Sequence, residues 1–129
     1  MKENKLTITI CKALPEVFNF VITPPNSIKW IASVVKEETN ELPVCIGTIY
    51  KLQNKEGESF EVTVKDIKNN ELVEWISQDK NYHCRYSFTS TGDTSTEFTY
   101  YEWLDKGELA EPFTLETLKK LKQVMENDI

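Results

Sequence analysis

A chain of 129 residues with 40% hydrophobic content has enough apolar side chains for one hydrophobic core and too many for wholesale disorder. Its formal charge of -6 provides no positive field for phosphate, which argues against a nucleic-acid partner. No segment approaches about twenty consecutive apolar residues, so membrane insertion is not expected.

The start of the chain, Met1 to Leu6, is short and charged and lacks the apolar stretch of a signal peptide, so the expected location is cytoplasmic. Leu6, Ile8 and Ile10 then alternate with Thr7, Thr9 and Cys11, the pattern of a half-buried strand. Pro15 and Glu16 suit the first turn of a helix whose apolar side is Val17, Phe18, Phe20 and Val21. Pro24 and Pro25 end it, since neither can donate to a helical ladder. Asn26 is expected to cap a second short helix carrying Ile28, Trp30, Ile31, Val34 and Val35. Lys36 to Pro43 is acidic and without period, which reads as a surface loop.

From Val44 to Leu52 alternation returns, with Val44, Ile46, Thr48, Tyr50 and Leu52 on one face and Gly47 marking a bulge or a close backbone approach. Further strands follow at Phe60–Lys65, Leu72–Ser77, Tyr82–Phe88 and Thr96–Leu104, separated by turn signals at Asn54–Gly57, Asn69-Asn70 and Thr91-Gly92-Asp93. Short turns between consecutive strands predict an antiparallel meander. The chain closes with a helix from about Thr114 to Asn127, Thr114 its N-cap, with Leu115, Leu118, Leu121 and Met125 on one side. A lone apolar helix stripe after a run of strands needs a sheet to cover. The expectation is one domain, 1–129, of α+β class, ordered strand, two short helices, five strands and a long helix, in which a curved six-stranded antiparallel sheet wraps around the C-terminal helix.

This order, with Pro15-Glu16-Val17-Phe18 opening the first helix, Trp30 in the second, Ile46-Gly47-Thr48-Ile49-Tyr50 as a glycine-containing second strand and Gly92 to Tyr100 as a turn followed by alternation, resembles the START-like, or helix-grip, superfamily. The bacterial polyketide cyclase/dehydrase-like members, also called SRPBCC proteins, are the nearest in pattern. The resemblance spans nearly the whole chain and implies a cavity for a lipid, polyketide or similar apolar molecule. It does not choose among transport, reception, cyclisation and co-chaperone roles, and supplies no catalytic motif to carry over.

The side chains narrow the chemistry. His83 is the only histidine, and on a strand it faces away from Cys84, so a Cys–His nucleophilic pair is disfavoured. Cys11, Cys45 and Cys84 are widely spaced without a CxxC pair, so a zinc site is not expected, and they read as small buried or half-buried side chains. No cofactor is expected. Glu102 shares a face with Phe98, Tyr100 and Leu104. Lining a cavity, it would be a buried carboxylate with a raised pKa, a weak candidate for general acid/base work; a salt bridge to Arg85, the only arginine, is the plainer reading.

The favoured function is binding of an apolar or aromatic small molecule between sheet and C-terminal helix. Wall residues are expected at Phe20, Trp30, Tyr50, Trp75, Tyr86, Phe98, Tyr100, Leu118, Leu121 and Met125, with Arg85 and Glu102 as polar determinants. A one-residue slip on any strand would invert its face. Two other readings stay open: a cyclase/dehydratase-type enzyme using Glu102 or a tyrosine, and a co-chaperone-like domain with a protein partner.

Overall fold

The computed structural model describes residues 2–110 and 112–127; Met1, at the start of the expected N-terminal segment, lies outside them. The elements are β1 (Glu3–Ile10), α1 (Leu14–Ile22), β2 (Val34–Thr39), β3 (Ile49–Asn54), β4 (Ser59–Lys68), β5 (Leu72–Ser77), β6 (Tyr82–Gly92), β7 (Ser95–Leu104) and α2 (Leu115–Glu126), with a 3-10 turn at Asn26–Lys29. All seven strands form one curled antiparallel sheet in the order β1-β7-β6-β5-β4-β3-β2. The meander from β2 to β7 is closed by β1, which pairs with β7 so that the first and last strands are neighbours.

The sheet therefore has seven strands where six are expected, and the difference lies in one stretch. The anticipated second helix shrinks to the 3-10 turn, and Asn26 is its first residue rather than its cap, donating from Nδ2 to the Phe20 carbonyl at 3.1 Å. Beyond it, Val34 to Thr39 is extended and pairs with β3. β-branched Val34 and Val35 favour that choice. Half of the expected Lys36–Pro43 loop is thus an edge strand. In compensation β3 begins only at Ile49, because Gly47 adopts a left-handed φ of 95° in a turn where the Thr48 amide donates to the Cys45 carbonyl at 3.1 Å.

The inner face of the sheet carries Tyr50, Val64, Val73, Trp75, Tyr86, Phe88, Phe98 and Tyr100, all buried and part of one core cluster with residues of α1 and α2. From α2, Leu118 and Leu121 are fully buried and Met125 nearly so, whereas Leu115, expected in the same stripe, is 43% exposed. Thr114 occupies the N-cap, but its side chain makes no capping bond. A charged clasp fixes the helix across the end of β1. Lys122 Nζ donates to the Thr9 carbonyl at 2.8 Å, the Cys11 amide donates to Glu126 Oε2 at 2.7 Å, and Lys122 and Glu126 pair at 2.5 Å. Of the cysteines, Cys84 is buried, but Cys11 and Cys45 are exposed, against the expectation that all three would be at least half covered.

Candidate functional site

Strand register aligns one row of inner-face side chains across the sheet: Val64 on β4, Trp75 on β5, Cys84 on β6, Glu102 on β7 and Asn4 on β1. Tyr82, Tyr86 and Tyr100 stand beside this row on the same face, because residues two apart on a strand point the same way. The aromatic rings meet edge to face: Trp75 with Tyr86 at 4.8 Å and with Tyr50 at 5.5 Å. Phe113, just before α2, stacks flat on Tyr100 at 4.2 Å.

These groups wall a cavity of about 510 Å³, within the size range of small-molecule sites. The strands β3 to β7 form its floor. The far wall is Val21 of α1, Ser27 of the 3-10 turn, Ile31, Ser33, and Val34 and Glu37 of β2, while Leu109, Ala110 and Phe113 cover the side toward α2. Phe60, 45% exposed, and Glu61 complete the rim on β4.

Two buried carboxylates face this space, and they differ in what surrounds them. Glu102 is 2% exposed. Its Oε1 accepts from the hydroxyls of Tyr82 at 2.8 Å and Tyr100 at 3.1 Å; its Oε2 accepts from Asn4 Nδ2 at 3.0 Å and the Phe113 amide at 2.9 Å. All four lone-pair positions are filled, each by a neutral donor. Asn4 also donates to the Phe113 carbonyl at 2.8 Å, so β1, β6, β7 and the approach to α2 are joined at one carboxylate. Glu37 is 9% exposed and, among the described residues, accepts from Ser27 alone: the Ser27 amide at 3.1 Å on Oε1 and the Ser27 hydroxyl at 2.7 Å on Oε2. Burial raises its pKa above the ordinary value, outweighing the Ser27 hydrogen bonds that lower it.

The remaining polar groups of the wall are neutral. Burial pushes the phenols of Tyr50, Tyr82, Tyr86 and Tyr100 and the thiol of Cys84 well above their usual values, so all keep their protons at neutral pH. A thiol held protonated is a poor nucleophile. Tyr50 donates its hydroxyl to the Ile22 carbonyl at 2.5 Å, tying β3 to the end of α1. Among the described residues no group of three or more His, Cys, Asp or Glu side chains could hold a metal ion.

No protein-family model matches the sequence, and no curated protein matches it either. Solved structures do match in shape. The protein XoxI from Bacillus cereus superposes with a TM-score of 0.78 at 13% identity, covering 98% of this chain and 97% of that one. A START superfamily protein from Mycobacterium smegmatis superposes with a TM-score of 0.71 at 15% identity, covering 98% and 95%. DynU16, from the dynemicin biosynthetic locus, gives 0.70 at 13% identity over 98% of this chain and 48% of that one. The fold is START-like.

Within this START-like fold, Tyr50, Trp75, Tyr86, Tyr100 and Glu102 stand on the cavity wall. Trp30, Phe98, Leu118, Leu121 and Met125 are buried but belong to the solid part of the core, where Trp30 meets Phe98 and Phe113 edge to face. The void consequently lies beside α2, under β2 and the 3-10 turn, and not between the sheet and α2. Phe20 is half-buried with Lys29 over its ring at 5.7 Å, away from the wall. Arg85 is on the opposite face: its guanidinium pairs with Glu74 at 2.6 Å and lies over Trp103 at 5.6 Å, so the Arg85–Glu102 salt bridge does not form. Alternation dictates this, since Cys84, not Arg85, is the residue opposite Glu102. His83 also faces outward, stacked on Trp103 at 4.8 Å and 3.0 Å from Asp105, and its ring is remote from Cys84's side of the sheet.

Sequence reasoning did not single out Glu37, Tyr82, Cys84 or Phe113 as site residues. Tyr82 and Cys84 carried a signal, the shared face with Tyr86. Glu37 carried none, because a bulge between Val34 and Lys36 turns Val34 and Glu37 to the same side although strict alternation would oppose them.

Proposed function

We propose that this protein binds an apolar or aromatic small molecule in the cavity between the sheet and the cover formed by the 3-10 turn, β2 and residues 109–113. The single observation that carries this reading is the space itself: about 510 Å³ walled mainly by aromatic and aliphatic side chains beside the buried core cluster. A small sheet protein gains stability from closing such a void, and leaving it open costs dispersion contacts on every lining atom. An occupant restores them. The likeness to a START superfamily protein and to a protein of a dynemicin biosynthetic locus supports lipid- or polyketide-like molecules as the first classes to try.

For the acid/base alternative, we read Glu102 as a structural carboxylate rather than a general base. A general base must have a lone pair free for the incoming proton, and Glu102 has four donors around it. We assign Glu102 to holding the cover in place. A thermal-shift panel of lipids, polyphenols and aromatic polyketides on the purified protein tests the binding reading. Saturation by an occupant at a hundredfold excess over Kd stabilises the fold by about 2.7 kcal/mol, a shift of several degrees for a domain of this size. No stabilisation by any member at saturating concentration would remove it.

A further inference from the structure

The charge distribution of the wall restricts the occupant further. Among the described residues four carboxylates line the cavity (Glu37, Glu61, Glu102 and Glu108) and no lysine, arginine or histidine does. Glu61 lies at the rim, where Lys51 stands 4.0 Å away and partly offsets it. Glu102 and Glu37 are buried and have only neutral partners among the described residues.

Most of the hydroxyl donors on the wall are already committed, and the Trp75 indole N–H, which has no partner among the described residues, is a neutral donor. The Tyr50 hydroxyl serves the Ile22 carbonyl, those of Tyr82 and Tyr100 serve Glu102, and the Ser27 hydroxyl serves Glu37. A carboxylate or phosphate placed here would lose its water, find no lysine, arginine or histidine among the described wall residues, and lie beside the buried carboxyl groups of Glu37 and Glu102. Glu37 presents the converse. It is buried and on the wall, and Ser27 fills one lone pair on each oxygen, leaving one more on each for a donor from the cavity.

We propose that the cavity selects apolar or aromatic molecules bearing a protonated amine, which pairs with Glu37, over molecules of the same shape bearing a carboxylate. This rests on the binding reading above and names its ligand class. An ammonium supplies three donors and the positive charge that Glu37 lacks, and the surrounding apolar wall makes that charge-assisted bond stronger than it is in water.

The test is calorimetric titration of the unmutated protein with three shape-matched probes, naphthylmethylamine, naphthalenemethanol and naphthoate, at pH 7. The amine is expected to bind roughly tenfold more tightly than the alcohol and the alcohol at least as tightly as the carboxylate, from charge-assisted against neutral hydrogen bonding. In a Glu37→Gln variant, checked for native circular dichroism, the amine should fall to the level of the alcohol. Naphthoate binding as tightly as the amine overturns the selectivity while leaving the cavity a binding site. An amine preference that persists in Glu37→Gln removes Glu37 as its source and overturns the assignment. Binding of none of the three, when the lipid and polyketide panel does stabilise the protein, overturns the amine class alone; silence in both experiments overturns the binding site as well. The wild-type ranking does not depend on the variant folding.

Discussion

At the scale of single residues, the two inner carboxylates make opposite contributions. Glu102 is satisfied on every lone pair, so replacing it strands the Phe113 amide and two tyrosine hydroxyls in the interior. Unpaired buried polar groups cost about 1–3 kcal/mol each, and Tyr82 and Tyr100 can partly serve one another at 3.2 Å. Glu102→Ala is therefore expected to lower stability by about 2–4 kcal/mol in urea unfolding, with faster amide exchange at Phe113. Glu37 works the other way. Its folded pKa lies above the ordinary 4.5, so the folded state holds the proton more tightly than the unfolded chain. The stability this contributes is complete below that ordinary value and is lost as pH rises through the raised one. Glu37→Gln abolishes the titration, so the variant should gain on the wild type in urea midpoint as pH rises from below the ordinary value of 4.5 through the raised one. A constant gap across that range would refute the shift's role.

At the scale of elements, the packing of α2 and the bulge in β2 decide where the core ends and the void begins. Leu118 and Leu121 are fully buried in the solid half of the core. Leu121→Ala should cost about 2–5 kcal/mol, the usual loss for a buried leucine, and leave the affinity of any cavity ligand nearly unchanged because α2 contributes no wall residue. Equal losses of stability and affinity would contradict that separation. The helix and most strands were legible beforehand because their periods are clean: Leu118, Leu121 and Met125 at helical spacing, and Tyr82, Cys84, Tyr86 and Phe88 at alternation. β2 was not. Its valines also suit a helix stripe, its acidic half resembles a loop, and only pairing with β3 makes it a strand.

At the scale of the whole molecule, the cavity is what remains when α2 and α1 fill one side of a seven-stranded curl and a short edge strand with a 3-10 turn incompletely covers the other. Filling it from within is the cleanest global test. Val62 is half-buried on the β4 floor, and Val62→Phe adds bulk directed at empty space, so stability should change by less than about 1.5 kcal/mol while ligand-induced thermal shifts disappear. An undiminished shift would place the ligand elsewhere.

The amino-acid order alone determined the antiparallel meander, which residues share a face along β6 and β7, and the terminal helix as the element the sheet covers, because each depends on a side-chain period local to its own segment. Those periods put Tyr50, Trp75, Tyr86, Tyr100 and Glu102 in one expected wall together with Trp30, Phe98, Leu118, Leu121 and Met125, and could not separate cavity wall from solid core. Only the tertiary structure decided that Arg85 turns away to Glu74, that Glu37 turns in, and that the void lies beside α2 rather than beneath it. Those outcomes depend on strand register, on a bulge, and on which of two covers packs more closely, and none of these is a property of any one stretch of chain.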